Sequence, residues 1–438
     1  MKTLPRIEWA FSMLLSAAVG VGVGFGIAPA FRATRLELVS AFKSSGARRS
    51  EISFGKLLIV AQVALSMLLL VGAGVFARSL QNLAAVDVGF RTDHILLFKV
   101  DPTLRGYKDA RFYAVLQRVL DRIAAIPAVR SVALSDMPLL GGGFASAGVR
   151  LEGAPPDDEA VALTNWVSAD FFRTMDMPIL LGRGFSPADA GDTPRVAVVN
   201  EMMVRQLFPG ASPIGRKFLW SSDMRPIEVV GVVGDAKYQD VRAPIAPTFF
   251  VPLFEGAWQR GKTFAVRTTG DPTAVIDAVR RKVAEVDADL MVYGVKTQAA
   301  QAADTMAQER LIAAPSGFFG VLAPLLASVG LSGLLSYSVA NRTREIGVRM
   351  ALGARRSDVA RMVMHDTIAL VGTGLVIGLA LSLAGMRAVE GMLYGLAPND
   401  PLTLTMAMAL MIASAAAAAA LPARRAARVD PMAALRCE

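Results

Sequence analysis

The chain has 438 residues, of which 53% are hydrophobic and 19% charged, a balance far from that of an ordinary soluble domain. Its formal net charge is +9, but the basic residues are not gathered into a face interleaved with aromatic side chains, which counts against nucleic-acid binding. A single cysteine, Cys437, excludes an intramolecular disulfide, and two histidines are too few for a Cys/His metal cluster. We therefore expect no metal and no cofactor, and the composition points to a membrane.

Five stretches contain no Lys, Arg, Asp, Glu or His and are long enough to cross a bilayer as helices, which takes about 20 residues. They are residues 9–31, 57–77, 311–340, 367–386 and 401–421. Buried helices of a large soluble protein are the alternative, but such helices rarely run this long without a charge. The first stretch is too long for the apolar part of a signal peptide and has a basic distal flank, so we interpret it as a retained span.

Basic residues beside these spans predict the orientation of the chain. Arginines and lysines are concentrated in residues 32–56, 341–366 and 422–436, whereas the loop 387–400 has one arginine against Glu390 and Asp400. By the positive-inside rule the three basic segments are cytoplasmic, and that loop lies outside. Residues 79–308 then lie outside as one long insertion.

This insertion is long enough to be a domain, and its pattern is that of an α+β fold. Short β-branched or alternating runs predict strands at 94–100, 129–134, 195–200, 227–233 and 264–268. Helical spacing predicts helices at 109–126 and 273–286, the second after a helix-starting Asp-Pro pair. The run Gly141, Gly142, Gly143 suits either a division into two subdomains or a flexible hairpin tip. The predicted fold is thus an α-helical membrane protein with five transmembrane helices and a large extracytoplasmic α+β domain.

One basic sequence segment occurs twice, each time after an apolar span. PAFRATRLELVSAFK at residues 29–43 and PARRAARVDPMAALR at residues 422–436 share their proline, alanine and arginine positions. A match of this length beside two spans indicates duplication of a unit.

Several catalytic and transport signatures are missing from the sequence. No stretch matches the phosphate-binding loop G-x-x-x-x-G-K-[ST] or the serine elbow G-x-S-x-G, so we expect no ATP hydrolysis and no catalytic residues in this chain. No ionisable residue lies inside a predicted span, which counts against an ion-coupled carrier. Gly20, Gly22, Gly24 and Gly26 lie within the first span and suit helix packing rather than phosphate binding.

The most informative cytoplasmic segment is NRTREIGVRMALGARRSDVARMVMHD at residues 341–366. Gly353 is a plausible end for a first short helix, and Ser357 a plausible N-cap for a second. A solvated, positively charged connection would explain the arginines. Ile346, Met350 and Leu352, however, place apolar surface outside the bilayer, where it needs lipid or a protein partner.

RTREIGVRMALGARRSDVARMV, together with NDPLT at 399–403 and LPARRAARVDPMAALR, resembles the MacB/FtsX-type permeases of ATP-binding-cassette (ABC) systems. VSADFFRTMDMPILLGRGFSPAD, VAVVNEMMVRQLFPGASPIGRKF and IEVVGVVGD resemble the MacB periplasmic core domain. The likeness is greatest to duplicated MacB-like permeases and covers nearly the whole chain. It implies that residues 1–45 are the last span and tail of a first unit and that most of this first unit is missing. Residues 54–80 would then be a span, 81–308 the extracytoplasmic core, and 309–438 a permease domain with three spans.

The resemblance also implies how such a protein works. A separate ABC ATPase closes on ATP, and the cytoplasmic segment between two spans carries this motion to the outer domain. The coupling surface carried over by the motif consists of Glu345, Ile346, Gly347, Arg349, Met350, Leu352 and Gly353. Ile346 and Met350 would make apolar contacts, and Glu345 and Arg349 would position them. The implied partners are the ATPase, a second permease unit or homodimer partner, membrane lipids and a periplasmic protein. The implied location is the inner membrane.

Two other classes of protein remain open from the residues. The chain could be a membrane-anchored sensor or binding module whose outer domain recognises an envelope ligand, or a regulator of an envelope hydrolase. A neighbouring ATPase gene would favour transport, and a neighbouring hydrolase or kinase gene would favour the alternatives.

Overall fold

The computed structural model describes residues 46–155, 157–189, 195–221, 224–253, 258–342, 348–349, 352, 355–389, 391, 393–396 and 400–426. They belong to two compact units. The helical unit lies within Met1–Val71, Gly320–Ala384 and Leu404–Glu438, and the mixed unit comprises Gly72–Phe319 and Gly385–Thr403.

The α-helices of the described residues are numbered here in chain order. They are α1 (Gly46–Ala84), α2 (Asp109–Ala124), α3 (Phe171–Met175), α4 (Glu201–Leu207), α5 (Ile276–Val286), α6 (Gln298–Thr305), α7 (Ala307–Asn341), α8 (Arg356–Val389) and α9 (Pro401–Ala426).

Four of these helices, α1, α7, α8 and α9, are long and apolar enough to cross a membrane. Their candidate spans are Gly55–Ala84, Ala307–Asn341, Thr367–Val389 and Pro401–Arg424. They confirm four of the five predicted spans, and the fifth, at residues 9–31, lies outside the described residues. Val321, Leu325 and Val329 on α7 are exposed, as expected where lipid surrounds a helix.

Within the helical unit, α1 and α8 pack closely through two glycines of α8. A Cβ atom placed on Gly374 would lie 2.7 Å from the Cβ of Val63, and one placed on Gly378 would lie 2.7 Å from the Cβ of Met67. Residues four apart share one face of a helix, so the two glycines form the small-xxx-small arrangement that lets helices approach in lipid. The sequence suggested this role for the glycines at positions 20 to 26, which lie outside the described residues.

The mixed unit contains a sheet of eleven strands, also numbered in chain order. They are β1 (Ile95–Val100), β2 (Val129–Ser135), β3 (Ala145–Leu151), β4 (Ala160–Val167), β5 (Ile179–Gly182), β6 (Val196–Asn200), β7 (Lys217–Trp220), β8 (Pro226–Val233), β9 (Thr248–Pro252), β10 (Lys262–Thr268) and β11 (Val292–Thr297).

One part of the sheet has the antiparallel order β11, β1, β10, β2, and α2 and α5 cover one of its faces. Side chains alternate between the two faces of a strand, so Phe98 and Val100 pack beneath the helices while Ile95 and Leu97 enter a second core on the opposite face. Phe98 stacks on Phe264 of β10, with ring centroids 4.9 Å apart. Burial on both faces explains why β1 is apolar almost throughout.

The other part of the sheet is a closed ring of six strands. β4 pairs with β3, β3 with β7, β7 with β8, β8 with β6, β6 with β9, and β9 again with β4. Alternate residues of these strands, among them Val149, Phe218, Val229 and Phe249, pack into one core. Closure removes the open edges at which sheets otherwise associate.

The ring is an insertion between β2 and β10, and Ser135 of β2 is paired with Val167 of β4 where the two parts of the sheet meet. The predicted division near Gly141, Gly142 and Gly143 falls in the connection from β2 to β3, where the chain enters the ring. The α+β prediction is confirmed, as are the five predicted strands to within one or two residues at each end. Helix 109–126 is confirmed as α2. The predicted helix 273–286 begins instead with a 3-10 turn at Pro272–Val275, with Asp271 as its N-cap, and continues as α5.

Candidate functional site

The predicted coupling segment joins the end of α7 at Asn341 to the start of α8 at Arg356. Both helices contain a candidate span, so the segment connects two membrane crossings. Of the seven predicted coupling residues, the structure describes Arg349 and Leu352. Glu345, Ile346, Gly347, Met350 and Gly353 lie outside the described residues.

Two apolar side chains in this segment are open to the surroundings. The exposed fraction of Leu352 is 83% and that of Val348 is 42%. The backbone N–H of Leu352 donates to the carbonyl oxygen of Val348 over 3.0 Å, the spacing of an α-helical turn. Residues four apart on a turn share a face, so Val348 and Leu352 present one small apolar surface.

The start of α8 is fixed by a carboxylate. The backbone N–H of Arg355 donates to Oδ2 of Asp358 over 3.1 Å, which is half of a capping box with Arg355 as the N-cap residue. The prediction that Ser357 is the N-cap is therefore wrong, because α8 already begins at Arg356. Arginine is not among the residues preferred at an N-cap, so the residue types alone favoured Ser357.

Two arginines of residues 341–366 have contacts that the structure describes. Nη1 of Arg349 lies 3.1 Å from Sδ of Met362 on α8, and Arg361 pairs with Asp358 over 3.4 Å. Both Arg349 and Arg361 are exposed, and exposed ion pairs contribute little stability. An exposed apolar pair next to a cationic side chain can contact a protein surface.

In the mixed unit, the stretches that resemble the MacB core meet around Asn200 at the end of β6. Its Oδ1 accepts from the backbone N–H groups of Met203 and Thr248, over 3.0 and 2.8 Å. Its Nδ2 donates to Oδ1 of Asp235 and to the carbonyl oxygen of Ala246, over 2.9 and 3.0 Å. The buried amide thus caps α4 and ties together the ends of β6, β8 and β9.

Asp235 completes this junction. Its Oδ1 also accepts from the backbone N–H of Met202 over 2.8 Å, and its Oδ2 pairs with Arg205. The quoted motifs VAVVNE and GVVGD therefore meet at a hydrogen-bonded structural junction.

A second motif stretch, GRGFSPAD, is held together by hydrogen bonds between its own residues. Arg183 donates two hydrogen bonds to the carboxylate of Asp189, over 2.6 and 2.8 Å. Asp189 also accepts from the backbone N–H and the hydroxyl of Ser186, over 2.7 and 2.9 Å. The bonds from Arg183 and Ser186 lower the pKa of Asp189 to about 2. This carboxylate therefore remains charged and holds the turn after β5.

A buried charge cluster lies where the two parts of the sheet meet. Asp136 and Lys262, with side chains 1% and 0% exposed, pair over 2.5 Å, and Arg260 pairs with the same carboxylate. Burial opposes the charge of Asp136, but the bonds from Arg260 and Lys262 hold its pKa below the usual value. Burial lowers the pKa of Lys262, which the bond to Asp136 offsets only in part. No sequence pattern indicated this cluster.

The helices and the mixed unit define the class of protein. It is a multi-pass membrane protein with one large α+β domain inserted in the sequence between two of its spans. The chain belongs to the MacB/FtsX family of ABC permeases. Residues 57–286 match the MacB-like periplasmic core domain, and residues 317–431 match the FtsX-like permease C-terminal region.

The names of similar proteins refer to export. The chain is 26% identical over 393 residues to the macrolide export ATP-binding/permease protein MacB of Azoarcus sp. (strain BH72), covering 87% of this chain and 56% of that protein. It is 27% identical over 334 residues to the pyoverdine export ATP-binding/permease protein PvdT of Pseudomonas savastanoi pv. phaseolicola, covering 73% and 48%. It thus spans about half the length of these curated relatives. The crystal structure of the periplasmic region of MacB from Actinobacillus actinomycetemcomitans covers 50% of this chain and 95% of its own, with a TM-score of 0.36 and 12% identity.

Proposed function

We propose that this chain is the permease part of an ABC-type export or mechanotransmission system and that a separate ABC ATPase drives it. The family match supports this, and so do the export names of its relatives. The observation that carries the proposal is the exposed apolar pair Val348 and Leu352, beside basic residues, on the segment joining α7 to α8. Such a surface fits a protein partner better than water.

In this proposal the permease performs no chemistry. The ATPase binds the coupling surface, formed by the residues predicted from the motif, and its closure on ATP displaces the adjoining ends of α7 and α8. Each helix is continuous over more than 30 residues, so a displacement at one end reaches the other. The chain alone should therefore turn over no ATP, and the added ATPase should supply all turnover.

The proposal includes an orientation in the inner membrane. Residues 79–308 face outward and residues 341–366 face the cytoplasm, and a second permease copy completes the assembly. We expect an impermeant thiol reagent to label Met291→Cys, but not Arg355→Cys, in intact cells that carry Cys437→Ser. Met291 is exposed in the mixed unit, so lack of access would not explain a failure. Labelling of Arg355→Cys without labelling of Met291→Cys would show that the orientation is opposite to the proposed one.

Docking of the ATPase can be tested at single side chains. Leu352→Asp, Ile346→Asp and Met350→Asp each place a carboxylate in a contact proposed to be apolar, at a cost of about 1–3 kcal/mol. We expect the full chain to insert normally but to lose co-purification with a co-expressed ABC ATPase that binds the wild type, and to lose stimulated ATP hydrolysis.

The matched control is Arg361→Ala in the same segment. The Arg361 side chain is 83% exposed and its partner Asp358 is also partly exposed, so this change should alter neither assay much. If the surface contacts lipid instead, the aspartate variants will bind the ATPase as the wild type does. Unchanged binding and hydrolysis at matched membrane levels would eliminate the coupling role.

A further inference from the structure

The last turns of α1 carry three polar side chains that bond to the loop between α8 and α9. Arg78 forms an ion pair with Asp400. The hydroxyl oxygen of Ser79 accepts from the backbone N–H of Tyr394 over 2.9 Å. Nδ2 of Asn82 donates to the carbonyl oxygen of Gly395 over 3.1 Å. All these residues belong to the mixed unit, and we call the set the polar clasp.

Asp400 also starts α9. Its Oδ2 accepts from the backbone N–H of Thr403 over 3.0 Å, with Pro401 at the first helical position, which is the geometry of an N-cap. Nη1 of Arg78 lies 3.5 Å from Oγ1 of Thr403, so the guanidinium contacts the cap and the first turn together. The NDPLT motif therefore places one carboxylate where it both caps a helix and holds α1.

Close packing reinforces these polar contacts. A Cβ atom placed on Gly74 of α1 would lie 2.7 Å from Cγ2 of Thr403. A side chain at position 74 that is not covalently bonded to residue 403 would therefore push α1 and α9 apart, and glycine permits the approach.

The clasped loop also touches the core of the mixed unit. Tyr394 packs against the cluster that contains Leu83 of α1, Ile95 and Leu97 of β1, and Phe171 of α3. The loop thus has an apolar contact with the sheet domain in addition to its polar contacts with α1. The sequence had assigned the loop only to the outer side.

The same loop is connected to the coupling segment by a single helix. α8 has 34 residues and is therefore about 50 Å long, with Arg356 at one end and Val389, five residues before Tyr394, at the other. α7 makes a separate connection, since Met306, directly before it, is buried in the same core and Glu309 in its first turn pairs with Arg242 over 2.9 Å.

We propose that the polar clasp is a second point of transmission: it stays closed during the ATPase cycle and passes the displacement of α8 to the mixed unit, in parallel with α7. Arg78 and Asp400 are its positioning residues. This inference rests on the proposed function. If the clasp only holds the fold together, breaking it should lower the yield of folded chain and its level in the membrane. If it transmits motion, breaking it should instead remove the nucleotide-dependent response of the mixed unit.

The test uses the full chain in complex with its ABC ATPase, with Cys437→Ser and a fluorescent label on Met291→Cys, which is exposed in the mixed unit. Asp400→Asn removes the charge but keeps a good N-cap, so it separates transmission from the start of α9. Arg78→Ala removes the other partner. We expect both variants to bind the ATPase and to retain its unstimulated rate of ATP hydrolysis. We also expect both to lose the change in label signal that ATP trapping causes in the wild type.

A disulfide can restore the link. Gly74→Cys with Thr403→Cys suits the geometry, because Cβ and the partner sulfur are roughly 3 Å apart across a disulfide. We expect the oxidised pair to return the label response to the Arg78→Ala variant and dithiothreitol to abolish it again. The proposed role of the polar clasp would be overturned if Arg78→Ala and Asp400→Asn both kept the wild-type label response. It would also be overturned if the oxidised cysteine pair stopped the ATPase cycle in an otherwise wild-type chain. A wild-type chain that binds no ATPase would instead overturn the proposed function itself.

Discussion

Replacing Asp136 by alanine should lower the free energy of unfolding by about 3–5 kcal/mol, the usual cost of removing one partner from a buried ion pair. Lys262 is fully buried, and without Asp136 its Nζ would keep the carbonyl oxygen of Trp258, 2.6 Å away, as a bonding partner. The Phe112 ring, 6.0 Å away, compensates little. Thermal unfolding of the full chain in detergent, followed by tryptophan fluorescence, would measure the loss.

The pH dependence of this variant has a definite sign. Burial already lowers the pKa of Lys262, and removing Asp136 lowers it further, so the unfolded chain binds more protons at this site than the folded chain does. The stability of Asp136→Ala should therefore rise with pH towards the unfolded pKa of lysine, near 10.4, and the deficit relative to wild type should shrink.

Two controls separate lost pairing from lost packing. Arg260→Ala removes the more exposed partner and should cost much less. The double variant Asp136→Leu with Lys262→Met removes both charges and should recover most of the stability, because a buried pair often breaks even against apolar residues. If the double variant is as unstable as Asp136→Ala, the loss comes from packing and not from an unpaired charge.

The sequence predicted those parts of the fold that depend on nearby residues. A span needs only some twenty consecutive apolar residues, and α2 needs only Phe112, Val115, Leu116, Val119 and Ile123 at helical spacing, all of which are buried. The strands β1, β6 and β10 were predictable because they are apolar on both faces. In each case the signal lies within one short window.

The parts that were missed depend on distant partners. β3 contains Gly148 and exposed or half-buried residues, and it is a strand because β4 and β7 pair with it on either side. β5 has four exposed residues and is held by β8. Asp136 and its partner Lys262 are separated by 126 positions in the sequence, and Arg78 and its partner Asp400 by 322. No local pattern specifies such pairs, so the buried charge cluster and the polar clasp could be identified only from the structure.

The second large effect is expected at Asn200, where alanine should cost about 2–4 kcal/mol. The substitution removes the N-cap of α4, typically about 1 kcal/mol, and leaves the buried N–H groups of Met203 and Thr248 without the acceptor that they share. The carbonyl oxygen of Ala246 also loses its donor. Thermal unfolding of the full chain is again the measurement.

Asn200→Asp and Arg205→Ala show which part of the junction carries this stability. Aspartate still accepts from Met203 and Thr248, but it cannot donate to Asp235 and it places a second carboxylate beside the first. It should therefore be clearly less stable than wild type although it keeps the cap. Arg205 is 55% exposed, so losing its ion pair with Asp235 should cost less than about 1 kcal/mol. If Asn200→Asp is as stable as wild type, the two donor bonds of Nδ2 contribute nothing and the role of Asn200 reduces to helix capping. A small loss for Asn200→Ala, matching that of Arg205→Ala, would show that the junction of β6, β8 and β9 is held by the ring core alone.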